Sequence, residues 1–201
     1  MTKIQEKIYT ILGGRVKMAD AGYKATSDAL LLAAAVDARR AKTILDAGVG
    51  TGAVLLSVLD GTPRICATGL DISAESLELC AKNAELNGRD VKLIAADITK
   101  WRTNRQFDLV VSNPPFFKGA GRAEHHCADL SDWTKGCAKR VAPHGRIYMI
   151  VEPGRLPEVI KAMPAAFGDI TIKPIFTNKD AAERVIISAR LGTRDPCRII
   201  K

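Results

Sequence analysis

Thr43-Ile44-Leu45-Asp46-Ala47-Gly48-Val49-Gly50-Thr51-Gly52-Ala53-Val54-Leu55-Leu56 changes character twice within fourteen residues. It begins as a short apolar run that ends at Asp46. Glycines then occupy positions 48, 50 and 52. From Gly52 to Leu59 the chain is apolar again and reads as a helix, stopped by Gly61. Strand, glycine turn and helix in that order let the backbone turn tightly, approach a ligand closely and aim N–H groups at it. A glycine turn with no ligand has the same local signature, but the strand before and the helix after favour a binding turn.

The same alternation continues outward. Ile65–Leu70 reads as a second strand, and Ser73 caps a helix whose Leu77, Cys80, Ala81 and Ala84 share a face before Asn87-Gly88 ends it. Val91–Ala95 and Phe107–Val111 read as the third and fourth strands. Leu130, Trp133, Cys137 and Val141 fall at helical spacing, and Arg146–Val151 is a fifth strand. Pro157 sits in the first turn of a helix carrying Val159, Ile160, Met163 and Phe167, closed by Gly168. Ile170–Phe176 and Arg184–Leu191 are two strands with a polar connection, expected to pair antiparallel. Repeated strand–helix units imply an α/β fold, a parallel sheet with helices on both faces and ligands at the carboxyl ends of the strands.

The 201 residues suit one domain, and a composition 47% hydrophobic and 26% charged is that of an ordinary globular chain. The apolar run Ala29–Val36 is far too short to span a bilayer, and the first residues lack the apolar core of a signal peptide. A soluble cytoplasmic protein without membrane contact is therefore expected. The formal charge of +8 has two readings, a polyanionic partner such as nucleic acid or solubility alone. Five scattered cysteines (66, 80, 127, 137 and 197) form neither a disulfide framework nor a zinc pattern, and most are expected to be small buried hydrophobes. His125-His126 lacks a third ligand at helical spacing, so no metal site is expected.

Gly48-x-Gly50-x-x-Ala53 also satisfies a dinucleotide pattern, which alone does not separate a nicotinamide cofactor from S-adenosylmethionine. Asp46 faces a pyrophosphate unfavourably but suits a ligand with an amino group. Asp71, ending the second strand, can accept hydrogen bonds from both ribose hydroxyls. Asp97 follows the third strand and has two readings, an acceptor for an adenine amino group or a turn cap. After the fourth strand, Ser112-Asn113-Pro114-Pro115-Phe116-Phe117 forces the chain out of the sheet, because proline cannot continue a central strand. Pro115 restricts Pro114 to an extended conformation. The Asn113 side chain and the Pro114 carbonyl then offer two acceptors that can bind both hydrogens of one planar NH2. Phe116 can stack on the ring that carries it. Taken alone the segment also reads as a plain strand-ending turn; together with the glycine cluster and both carboxylates it fits amine methylation, not hydride transfer.

Asp46-x-Gly48-x-Gly50-x-Gly52, Asp71, Asp97 and Asn113-Pro114-Pro115-Phe116 resemble, in order and spacing, the motifs of class I S-adenosylmethionine-dependent methyltransferases of the amino-methylating branch. Leu12-Gly13-Gly14-Arg15-Val16 and Gly22-Tyr23-Lys24-Ala25-Thr26-Ser27-Asp28-Ala29-Leu30-Leu31-Leu32-Ala33-Ala34 resemble the start of the bacterial tRNA(Val) adenine-N6 methyltransferase family. The resemblance implies a Rossmann-like, seven-stranded, mostly parallel sheet with a C-terminal antiparallel hairpin over residues 25–201. It implies an N-terminal extension, residues 1–24, packed near the site. It further implies S-adenosylmethionine as cofactor, bound by Ser27, Asp46, Gly48, Gly50, Gly52, Asp71, Asp97 and Asn113, and catalysis by Asn113, Pro114, Pro115 and Phe116. Independently of the resemblance, Thr26 or Ser27 can cap an apolar helix.

The expected activity is N-methylation of adenine in RNA, with tRNA as partner. Guanine N2 in rRNA, adenine in DNA and a protein glutamine amide are the alternatives within amine chemistry. A cofactor-binding module without activity, or a nicotinamide enzyme, is the alternative outside it. Residues 117–129, with Lys118, Arg122, His125 and His126, read either as a mobile substrate loop or as a solvated one. Further cations lie near the start (Lys3, Lys7, Arg15, Lys17, Lys24) and near the end (Arg184, Arg190, Arg194, Arg198, Lys201); sequence does not say whether they share a face.

Overall fold

A computed structural model describes residues 7–20, 25–115, 129–177 and 180–200. A hairpin of β1 (Ile8–Ile11) and β2 (Val16–Ala19) precedes α1 (Ser27–Ala35). Then come β3 (Thr43–Ala47), α2 (Ala53–Gly61), β4 (Cys66–Asp71), α3 (Ala74–Leu86), β5 (Val91–Ala95), β6 (Phe107–Ser112), α4 (Leu130–Ala138), β7 (Val141–Val151), α5 (Leu156–Ala162), β8 (Phe167–Ile175), β9 (Arg184–Leu191) and β10 (Arg198–Ile199).

The main sheet has the order β10-β8-β9-β7-β6-β3-β4-β5. Strands β3 to β7 run parallel, and β9 enters antiparallel between β7 and β8. The expected sheet of seven strands is present, and a two-residue β10 adds an eighth at the edge by pairing parallel with β8. The chain moves outward from β3 to β5, then returns to the other side of β3 as β6. That reversal opens a crevice beyond the carboxyl ends of β3 and β6, where α/β sheets bind ligands.

Alternation along the strands divides the core. Ile44, Val111, Ile150 and Ile186 face α1, α2 and α3; Leu45, Val110, Met149 and Ile187 face α4 and α5. The N-terminal hairpin docks behind the first group through buried Val16 and Met18. Asn83 on α3 and Asn87 at its C-cap accept hydrogen bonds from the backbone N–H groups of Ala19 and Lys17, both at 2.8 Å.

Three expectations need correction. The helix after Pro157 ends at Ala162, and Phe167-Gly168 begins β8 instead of closing the helix. Pro164 pushes Met163 to extended backbone (ψ 128), which stops the helix early. Thr26 stands at the N-cap of α1, but neither its side chain nor that of Ser27 makes a capping bond. Among the four described cysteines, Cys80 and Cys137 are buried while Cys66 and Cys197 are exposed; Cys127 lies outside the described residues.

Candidate active site

The glycine turn has the backbone its sequence requires. Gly48, Gly50 and Gly52 have φ of 76°, 51° and 87°, the left-handed region that side chains rarely adopt. Close neighbours add a second requirement at two of them. A Cβ on Gly52 would lie 2.8 Å from Cys80 Sγ, and one on Gly48 would lie 3.0 Å from the Trp133 ring. A Cβ on Gly50 would meet nothing within 4 Å, so the turn opens outward there. Amides of Gly48 and Val49 donate to Leu70 O at 2.8 and 3.0 Å, pinning the turn to the end of β4. Asn83 Nδ2 donates to Thr51 O at 2.9 Å, so one side chain ties both the turn and the N-terminal hairpin to α3.

Asp71 completes the turn from β4. Its Oδ2 accepts the Gly50 N–H at 2.9 Å and its Oδ1 the Ser73 N–H at 3.0 Å. A carboxylate has about four lone-pair sites, so roughly two stay available to a ligand. Ile72 beside it is 63% exposed, an apolar surface at the same edge. Sequence reading passed over Ile72, although a large apolar residue directly after a strand-ending carboxylate was a visible signal. Asp71→Ala is expected to raise the Kd of S-adenosylmethionine about tenfold or more, as for a lost hydrogen bond to a charged group worth about 1.5–3 kcal/mol. Calorimetric titration measures it, and an unchanged Kd removes Asp71 from the site.

Asp46 is the unusual group. It is only 1% exposed, and neither carboxylate oxygen makes a hydrogen bond among the described residues. Burial, reinforced by the charge of Asp71, pushes its pKa well above 3.8; the backbone of Leu55 offsets this only in part. A buried carboxylate so weakly compensated is costly unless a cation or donor arrives. Burial and the nearby Asp46 and Asp71 also push the Cys80 thiol up to about 12, so it behaves as packing beneath Gly52.

Asn113, Pro114 and Pro115 leave β6 at the other side of the crevice. They line a cleft with Asp28, Leu130, Ile150, Glu152, Arg155 and Arg184. The Asn113 side chain makes no hydrogen bond among the described residues, so its acceptor is uncommitted. Asp28, buried on α1, accepts from Arg184 Nε on β9 at 2.8 Å and forms one wall. Beneath the elbow, Ser112 Oγ donates to Ala47 O at 2.7 Å and accepts from Trp133 Nε1 at 2.9 Å. The ends of β6 and β3 are thereby tied, with the Trp133 ring packed under Gly48. The elbow and the glycine turn are held in one register.

The remaining expected residues divide. Asp97 follows β5, but its Oδ1 accepts from the Thr99 N–H at 2.9 Å and hydroxyl at 2.7 Å. Its Oδ2 lies 3.6 Å from Lys100 Nζ. These contacts outweigh burial and hold its carboxyl below the usual range, the pattern of a turn cap. Ser27 is exposed at the first turn of α1, one residue from Asp28. Phe116 and residues 117–128 lie outside the described residues. Among the described residues no three His, Cys, Asp or Glu side chains gather as a metal site, and no helix is long and apolar enough to cross a membrane.

Residues 23–174 match the family model described as methyltransferase small domain. The chain belongs to this family. Relatives include a tRNA1(Val) (adenine(37)-N6)-methyltransferase of Glaesserella parasuis serovar 5, 31% identical over 139 residues, covering 64% of this chain and 59% of the relative. A release factor glutamine methyltransferase of Deinococcus radiodurans is 28% identical over 166 residues, covering 74% and 58%. The matches thus span less than two thirds of these relatives' lengths. A solved structure described as a predicted O-methyltransferase from Agrobacterium tumefaciens superposes with a TM-score of 0.71 at 26% identity, over 86% of this chain and 84% of that one.

S-adenosylmethionine is the cofactor of methyltransferases with this fold. The residues present fit it. An orphaned buried carboxylate at Asp46 suits a cationic ligand, Gly50 leaves the turn open, and Asp71 keeps lone pairs for hydroxyl groups.

Proposed function

We propose that the protein methylates the exocyclic amino group of adenine in RNA, with tRNA the expected substrate. The observation that carries this reading is the uncommitted Asn113 acceptor on the Pro114-Pro115 elbow, locked to the glycine turn through Ser112 and Trp133. S-adenosylmethionine, when bound, supplies an electrophilic methyl group. Asp46, Gly48, Gly50 and Asp71 are the residues that would hold it, with Ile72 giving an apolar surface and Ser27 standing at the rim.

Asn113 Oδ1 and the Pro114 carbonyl oxygen accept the two hydrogens of the target amine. Holding both N–H bonds draws the nitrogen toward sp³ and frees its lone pair from the ring. These acceptors strengthen their bonds as positive charge develops on nitrogen, so they favour the transition state over the ground state. No strong base is required, because the nitrogen sheds its proton after the methyl group has arrived. Pro114 and Pro115 keep the elbow stiff, and Phe116 supplies a ring for stacking. A base inside a helix has to leave its stack to reach such an elbow.

A protein glutamine amide is the second reading. It presents the same planar NH2, and a release factor glutamine methyltransferase is among the relatives. The charge of +8 favours RNA over a neutral peptide. Incubation with methyl-labelled S-adenosylmethionine and unmodified tRNA decides between them. Label recovered as N6-methyladenosine is expected. Label absent from RNA but present in a glutamine-containing protein substrate overturns the RNA reading.

A further inference from the structure

For three of the C-terminal cations, Arg184, Arg190 and Arg198, strand register says which face they share. On β9, Arg184, Ile186, Ser188 and Arg190 point to one face, and Arg190 pairs directly with Arg146 of β7. Thr171 and Lys173 of β8 pair with Ser188 and Ile186, and Arg198 of β10 pairs with Thr171, so they share that face. There Arg146, Lys173, Arg190 and Arg198, joined by Arg40, line a groove floored by Tyr148 and Ile186. It is much roomier than the cleft at Asn113, about 690 Å³ against 60 Å³.

Its cations outnumber their counter-charges. Arg146 and Arg198 both bond to Asp169, one carboxylate for two guanidiniums. Asp169 adopts φ 45°, the left-handed region, to stand between them. Arg190 Nε donates only to a backbone carbonyl, that of His144, at 3.2 Å. Arg40 and Lys173 have no ion-pair partner among the described residues. The two acids in the groove are already engaged: Asp37 pairs with Arg39, and Asp108 accepts from Lys42 and Thr43. Like charges directly opposite across a sheet are destabilising, so Arg146 beside Arg190 is a local cost to the fold.

We infer that this groove binds the sugar–phosphate backbone of the RNA at a distance from the methylated base. The inference rests on the RNA reading above. The groove and the cleft lie on one face of the same strands. Arg184 stands at the cleft and Arg190 in the groove, six residues along β9, or about 20 Å at about 3.4 Å per residue. The groove therefore meets phosphates several nucleotides from the target. Its cations supply affinity and register, and they read no base. Substrates too short to reach the groove are methylated without its help.

The test uses the full chain and an unmodified anticodon-arm RNA hairpin, with K173E/R190E and the milder K173Q/R190Q, two residues outside the catalytic cleft. Binding is titrated against salt. Each cation removed is expected to reduce the magnitude of the log K–log salt slope by about 0.7–0.9, and hairpin affinity is expected to fall about tenfold or more. S-adenosylmethionine affinity and methylation of an oligonucleotide of about four residues, too short to reach the groove, are expected to stay as in the wild type. Hairpin binding and slope unchanged in both variants would overturn the groove, as would a wild-type protein that does not bind the hairpin. Label identity is read separately: wild-type binding lost in the variants, with no methyladenosine formed, supports the groove while sinking the adenine reading.

Discussion

Asn113→Ala is expected to lower turnover by about 10²–10³-fold, the scale for removing one preorganised hydrogen-bonding group aimed at developing charge. The Kd of S-adenosylmethionine is expected to change less than about twofold. The separation follows from position. Asn113 lines the substrate cleft, and its side chain makes no hydrogen bond among the described residues, so its loss removes no strut from the fold. Thermal stability is expected to be unchanged. Asn113→Asp keeps an acceptor oxygen and should retain more activity than Ala. Single-turnover kinetics with tRNA measures the effect, and near-normal turnover in the Ala variant would refute the assigned role.

Asp46→Asn is expected to move stability and cofactor affinity in opposite directions. The folded state holds the Asp46 proton well above 3.8, because burial and Asp71 oppose the charge. Between 3.8 and that raised value, the native state binds a proton that the unfolded chain has lost. The stabilising contribution is therefore complete below 3.8 and declines as pH rises toward the folded value. An amide never charges, so the variant loses this slope. At neutral pH the ligand-free variant is expected to melt higher, by about 2–4 °C for each kcal/mol of burial cost relieved. Its affinity for a cationic cofactor is expected to drop by about 2 kcal/mol or more, roughly thirtyfold. Calorimetry in buffers of different ionisation heat adds a second readout. Below the raised folded pKa, wild-type binding is expected to release a proton as a cation draws Asp46 into its charged form, and the variant to release none. A variant with weaker binding and no gain in stability would show that the carboxylate is satisfied in the free protein.

Local signals carried the central part of the fold. Gly48, Gly50 and Gly52 demand a turn because side chains avoid the backbone they adopt. Asn87-Gly88 ended α3 as read, and Ser73 caps it. Errors arose where distant partners decide. Strand β7 begins at Val141, earlier than Arg146, because its first residue pairs with Phe107 across an irregular register and His144 turns at φ 63°. The four-residue strands of the N-terminal hairpin carry little pattern of their own and take their place from Asn83 and Asn87. Around the crevice, the placement of the glycine turn, Asp46, Asp71 and Asn113 was legible because Asp46 and Asp71 lie at the ends of strands and the turn and Asn113 come after them. Trp133 looked like an ordinary core residue of an amphipathic helix; only the fold puts its indole under Gly48. The shared face of Arg146, Lys173, Arg190 and Arg198 depends on which strands adjoin, and β9 inserting between β7 and β8 cannot be read from β9 itself.

The ion pair between Asp28 and Arg184 joins residues 156 positions apart. During synthesis at about 5–20 residues per second, roughly 8–30 s separate the emergence of its two halves. The glycine turn and Asp71 are complete more than a hundred residues before Arg184 is made. Translation thus supplies the residues of the glycine turn early and those of the wall beside Asn113 late. Premature termination before β9 leaves a chain without that wall, unable to act on a substrate even where the earlier turn has formed.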